Sequence, residues 1–109
     1  MELYEELSEK SNQLDVSVKR LRRSGTEYAE AEKNYKITLR TEVLKLREQG
    51  CAVGIIDKIV YGIPAVAEAR FKRDIAETVY EANKESINAL KLQIRLFDAQ
   101  LSREWGQAK

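Results

Sequence analysis

The residues best suited to chemistry in this 109-residue chain are carboxylates. Glu77, Glu81 and Glu85 step by four along one helical face, with Asp74 beside them. Hard cations are held by several oxygen ligands that converge on one point. Arg73, Lys84 and Lys91 are interleaved with these acids, and mixed charge along a long helix ordinarily makes a solvated face. No metal site is therefore expected. The chain contains no histidine, the commonest general base near neutral pH and the commonest transition-metal ligand. Hydrolases built on a Ser–His or Cys–His pair are excluded with it. A single cysteine, Cys51, excludes a structural zinc site and an intrachain disulfide framework. It directly follows a helix-ending glycine and reads as a small apolar packing residue. Gly50, Gly54 and Gly62 match neither the dinucleotide-binding pattern nor the P-loop. No catalytic residue and no cofactor are expected, and the chain reads as a non-enzyme.

Two basic clusters are candidate phosphate contacts: Lys19, Arg20, Arg22 and Arg23, and then Arg70, Lys72 and Arg73. The first also complements the dipole of a helix that opens with Glu2, Glu5, Glu6 and Glu9. Overall charge adds nothing to a polyanion reading, since 19 basic and 18 acidic side chains leave a net +1. Between the clusters, LREQGCAVGIIDKIVYGIPAVAEARFKRD resembles the helix-turn-helix spacing of resolvase-like and regulator domains. Gly50, Val53, Ile56, Val60 and Gly62 take the corresponding places. That resemblance implies Ala65, Glu68, Ala69 and Lys72 facing a major groove. Asp57, however, stands where a small apolar residue packs, and the helix that follows carries little donor chemistry for reading bases.

The elements that must position these residues are helices. The composition is 43% hydrophobic and 34% charged with one proline, which fits a soluble helical or coiled-coil protein. In the first segment, 1–24, Leu7, Leu14 and Leu21 occupy one heptad position and Tyr4, Ser11 and Val18 the other. Ser24 and Glu27 have the form of a capping box around Gly25, so a helix boundary is expected there, with a continuous helix as the alternative. The first helix is then either a separate arm or one that packs back. Tyr28, Ala31, Tyr35, Leu39, Val43 and Leu46 form the apolar stripe of the next helix, which Gly50 ends. A short helical corner follows at about 50–63, with Ile55, Ile56, Ile59 and Val60 as its buried side. Pro64 opens the last helix, whose stripe reads Phe71, Ile75, Val79, Ala82, Ser86, Leu90, Ile94, Phe97, Leu101 and Trp105. Its mean step exceeds 3.5, which argues against a strict heptad seam. A second stripe, Ala89, Leu92 and Leu96, widens the end of this helix. The expected fold is all-α: an antiparallel helical hairpin over 26–105 with one very long C-terminal helix and a coiled-coil-like N-terminal helix, in a single domain that self-associates into a bundle. The candidate interface for a second copy or a partner is Leu90, Leu92, Ile94, Leu96, Phe97, Leu101 and Trp105.

YAEAEKNYKITLRTEVLKLREQG and VAEARFKRDIAETVYEANKESINALKLQIRLFDAQLSREWG, joined by a short apolar link, resemble small helical proteins of tailed phages and prophages of Gram-positive bacteria. The likeness covers Tyr28 to Gly106. It implies an early phage protein grouped with DNA replication and recombination functions, and transfers no site residues. The resulting expectation is a non-enzymatic accessory protein. Its helical surfaces would act on proteins of replication or recombination, or on a bacterial defence complex. The alternatives are direct nucleic-acid binding, through the helix-turn-helix-like corner (50–73) or the basic patches, and binding of a small nucleotide between subunits. Expected partners are a second copy of the chain and a host or phage protein, without membrane or metal. The acidic start, MELYEELSEK, has no apolar signal core, and no run of 18 apolar residues exists, so the expected location is the bacterial cytoplasm.

Overall fold

A computed structural model describes residues 2–107. Helix α1 runs Glu2–Glu48, α2 runs Val53–Ile59 and continues into a 3₁₀ turn at Val60–Gly62, and α3 runs Pro64–Gln107. No strand occurs among the described residues. The chain divides into two compact units, 1–23 with 81–109 and 24–80. The first segment is thus grouped with the end of α3 rather than standing alone.

The expected helix boundary at Ser24–Glu27 is absent. Ser24 and Gly25 lie inside α1, and Ser24 is buried rather than capping a terminus. Glycine in a helix interior costs about 1 kcal/mol relative to alanine, which is too little to end a helix held by packing. Gly25 serves close approach instead. A Cβ at this position would meet the Tyr80 ring at 3.2 Å, and that ring stacks on Tyr28 with centroids 5.9 Å apart.

At the other end of α1 the expected glycine stop is present. Gly50 has φ +84°, a left-handed conformation that a side chain would strain. The Cys51 N–H donates to the Leu46 carbonyl at 3.1 Å and the Gly50 N–H to the Arg47 carbonyl at 3.0 Å. This is a Schellman motif, and it satisfies carbonyls that the helix end leaves open. Cys51 and Leu46 both pack against the core, the apolar contact that usually accompanies the motif. Pro64 opens α3 as expected, at a position where its missing N–H costs nothing.

The core of the 24–80 unit is Tyr35 from α1, Ile56 and Val60 from the corner, and Val66 and Ala69 from α3. Leu39, Val43, Leu46, Cys51 and Ile63 pack around it. The stripe read for the middle of α1, Tyr28 to Leu46, does face inward. In the other unit Ile87 is the one buried hydrophobic among the described residues. The helices there run antiparallel: Glu2, Leu3 and Glu6 line one groove with Glu104, and Leu14 lines another with Ile94.

Two seam assignments need correction. On α3 the inward residues are Val66, Ala69, Arg73, Ala76, Tyr80, Asn83, Ile87, Leu90, Ile94, Phe97 and Leu101. These alternate strictly by three and four, the heptad spacing that the sequence reading rejected. The stripe read from apolar residues steps mostly by four, so it winds roughly 160° around the helix. It begins on the outside, at the exposed Phe71, Ile75 and Val79, and reaches the inner side only at Leu90. It then leaves the seam again at Trp105, which is exposed. Polar Arg73 and Asn83 occupy seam positions and hid the true period. On α1, Leu7, Leu14 and Leu21 face inward as expected, but their seam partners are Leu3, Lys10 and Ser17. Tyr4 and Ser11 are exposed, and Val18 is half-buried beside the seam. Neighbours at minus three and minus four are both plausible on a helix, and the position of the facing helix selects between them.

Candidate functional site: the apolar corner

The corner between α1 and α3 gathers both buried and exposed large hydrophobic residues on one short element. Ala52 precedes α2 with an extended backbone and no side-chain cap; its carbonyl accepts from the N–H groups of Ile55 and Ile56, both at 3.0 Å. The Ile63 N–H donates to the Val60 carbonyl at 3.2 Å and closes the 3₁₀ turn. Ile56 and Val60, four residues apart, put one face of the corner into the core and are 2% and 1% exposed. Burying each contributes about 1.5–3 kcal/mol.

The flanks of this buried pair are apolar too. Val53 is 59% exposed and Ile55 54%, and Ile59 and Tyr61 are also exposed. Ile55 and Ile59 were expected inside. They sit about 100° from Ile56 and Val60 around the helix, and a two-helix scaffold covers only one side of a seven-residue helix. The sequence signal was available in principle, since only one i, i+4 pair of so short a helix can face a two-helix support. Tyr61 was not singled out, although its type and position on the corner are plain in the sequence, and Val53 was read as a helix-turn-helix position rather than as a solvated contact. The patch has a basic flank. The Arg70 guanidinium lies over the Tyr61 ring at 5.7 Å from its centroid, and Lys58 lies in the last turn of α2. Solvated aliphatic side chains gathered on one small element are a feature of interaction surfaces.

The second basic cluster is largely engaged within the fold. Arg73 takes a seam position and donates from Nε and Nη2 to one Asp74 oxygen, at 3.0 and 2.8 Å. Its guanidinium also lies 3.7 Å from Glu32 and 4.6 Å from the Tyr35 ring centroid. The hydrogen bond with Asp74, followed by the charges of Asp74 and Glu32, holds its pKa above the ordinary arginine value. Lys72 pairs with Glu68 at 3.8 Å. Of the positions expected to face a groove in the helix-turn-helix reading, Ala69 is buried in the core and Glu68 carries that ion pair. In the first cluster Lys19, Arg20, Arg22 and Arg23 are all on the exposed side of α1.

The candidate interface at the end of α3 divides in two. Leu90, Ile94, Phe97 and Leu101 belong to the inner seam and are half-buried, whereas Leu92, Leu96 and Trp105 are exposed. The carboxylate ladder does not converge. Asp74 is held by Arg73 and Glu81 by Lys84 at 3.0 Å, and no group of three or more potential metal ligands occurs among the described residues. Cys51 is half-buried against the core, in keeping with its packing role. No described helix is long and apolar enough to cross a membrane.

These features define an all-α helical hairpin closed by an apolar, partly solvated corner. Comparison with protein-family models, curated proteins and solved structures finds no match to this chain.

Proposed function

We propose that this protein is a non-enzymatic interaction module whose helical hairpin presents the corner to a partner protein. The observation that carries the reading is the two-sided corner: Ile56 and Val60 anchor it, while Val53, Ile55, Ile59 and Tyr61 remain in water. Removing those four from solvent in a partner's apolar groove would supply the driving force, and Lys58 and Arg70 would favour an acidic rim on that groove. In the phage setting implied by the sequence likeness, the partner is a protein of replication, recombination or host defence.

The test is site-specific photo-crosslinking in cells, with the crosslinker at Ile55 or Ile59 and a control at the exposed Lys33. A single protein captured at both corner positions, missing at Lys33 and lost in Val53→Ser/Ile59→Ser, is the expected result. Equal capture at all three positions overturns the reading. Direct nucleic-acid binding is a second reading, favoured by the exposed Lys19, Arg20 and Arg23. It requires affinity that falls steeply with salt and drops on Arg20→Glu/Arg23→Glu.

A further inference from the structure

In the unit formed by 1–23 and 81–109, α3 carries a second heptad-spaced row. Ala82, Ser86, Ala89, Gln93, Leu96 and Gln100 each precede one inner seam residue, so the row is rotated about 100° from the seam. All six are exposed, and none is charged. Leu92 lies beside the row and is 51% exposed; Leu96 is 61% exposed. On α1, Glu9, Asn12, Gln13, Val16, Ser17 and Arg20 form the far wall of an open groove of about 590 Å³ that runs along Ser86 and Ala89.

Side-chain size along this row is polarised. Its first half is small, Ala82, Ser86 and Ala89; its second half is larger, Gln93, Leu96 and Gln100, with Leu92 beside it. Two copies of α3 packed antiparallel about a two-fold axis at Ala89 would lay Leu96 of each over Ala82 of the other, and Leu92 over Ser86. Parallel packing would set leucine on leucine at one end and leave alanine facing alanine at the other. Tight interiors select the arrangement that matches large to small. Surface area is consistent with such a contact. The chain exposes 8174 Å², whereas a folded monomer of this mass ordinarily exposes about 6,200 Å². The excess of roughly 2,000 Å² exceeds the ~800 Å² that each partner of a stable complex contributes. This unit also has the thinner core, with Ile87 as its one buried hydrophobic among the described residues.

We propose that the chain forms a two-fold symmetric dimer through this row, with α3 of the second copy lying antiparallel and crossing at Ala89. The proposal is independent of the corner reading, because the two surfaces share no residue. The experiment uses the full chain with Cys51→Ser. Solution mass by light scattering should be twice that of one chain, and Leu92→Glu/Leu96→Glu should halve it while helical circular dichroism is retained. Under mild oxidation Ala89→Cys should link to itself, Ala82→Cys should link to Leu96→Cys when the two variants are mixed, and Leu96→Cys alone should not. A monomeric parent, an unchanged mass in the double glutamate variant, or self-linking of Leu96→Cys without Ala89→Cys overturns it. Partner capture at the corner should survive the double glutamate change. Its loss in the corner variant alone, with the dimer mass intact, would separate failure of one proposal from failure of the other.

Discussion

Gly25 shows how one residue type can carry opposite meanings. In sequence it sits between Ser24 and Glu27 and looks like punctuation. In the fold it is a flat seat for Tyr80, 3.2 Å from where a Cβ would stand. Two effects oppose each other at this site. Alanine would gain about 1 kcal/mol of helix propensity, but would press on a ring already stacked against Tyr28. Gly25→Ala is therefore expected to leave stability within about 0.5 kcal/mol of the parent, because overpacking offsets the gain. In a Tyr80→Ala background the same change should stabilise by about 1 kcal/mol. Denaturant unfolding of the parent and these three variants measures that coupling, and equal effects in the two backgrounds would show that Tyr80 does not constrain Gly25. Arg73 teaches a related lesson. Its type marks it as a surface cation, yet Asp74, Glu32 and the Tyr35 ring together hold it at a seam position.

At the scale of elements, the corner separates folding from function most cleanly. Ile55 and Ile56 are adjacent and chemically identical, yet one is solvated and the other belongs to the core. Ile56→Ala should cost about 2–5 kcal/mol as a buried truncation. Ile55→Ala should change stability by no more than about 0.5 kcal/mol. Thermal unfolding of the two variants checks the contrast, and comparable losses would place Ile55 inside after all. The helices themselves, the glycine stop at Gly50 and the proline start at Pro64 were legible in the sequence, because caps and breakers act through local backbone geometry. The seam of α3 was not. Apolar residues lie on two of its sides, and Arg73 and Asn83 interrupt the inner one, so counting hydrophobics followed the wrong face from Phe71 to Ser86.

For the molecule as a whole, the two units differ in how much they bury. The 24–80 unit holds Tyr35, Ile56, Val60, Val66 and Ala69, and the other holds Ile87 among the described residues. Two additional buried aliphatic side chains, at about 1.5–3 kcal/mol each, correspond to at least about a hundredfold difference in local opening. Amide exchange should therefore be slower at Tyr35 and Ala69 than at Leu7 and Leu14 by that factor or more. Leu92→Glu/Leu96→Glu should speed exchange at Leu7 and Leu14 and leave Tyr35 and Ala69 unchanged. Uniform exchange across both units would contradict the contrast in burial.

The sequence by itself determined the helical class, the corner, the place where α1 stops and the residue on which α3 starts. It also excluded histidine-based chemistry outright. Each of these follows from local backbone preference or from composition, which need no knowledge of a neighbour. Only the tertiary structure decided which side of each helix is inside, that α1 continues through Ser24 and Gly25, and that Ile55 and Ile59 stay in water. Those outcomes depend on a facing helix, because a helix with apolar residues on several sides has no inside until another surface covers one of them.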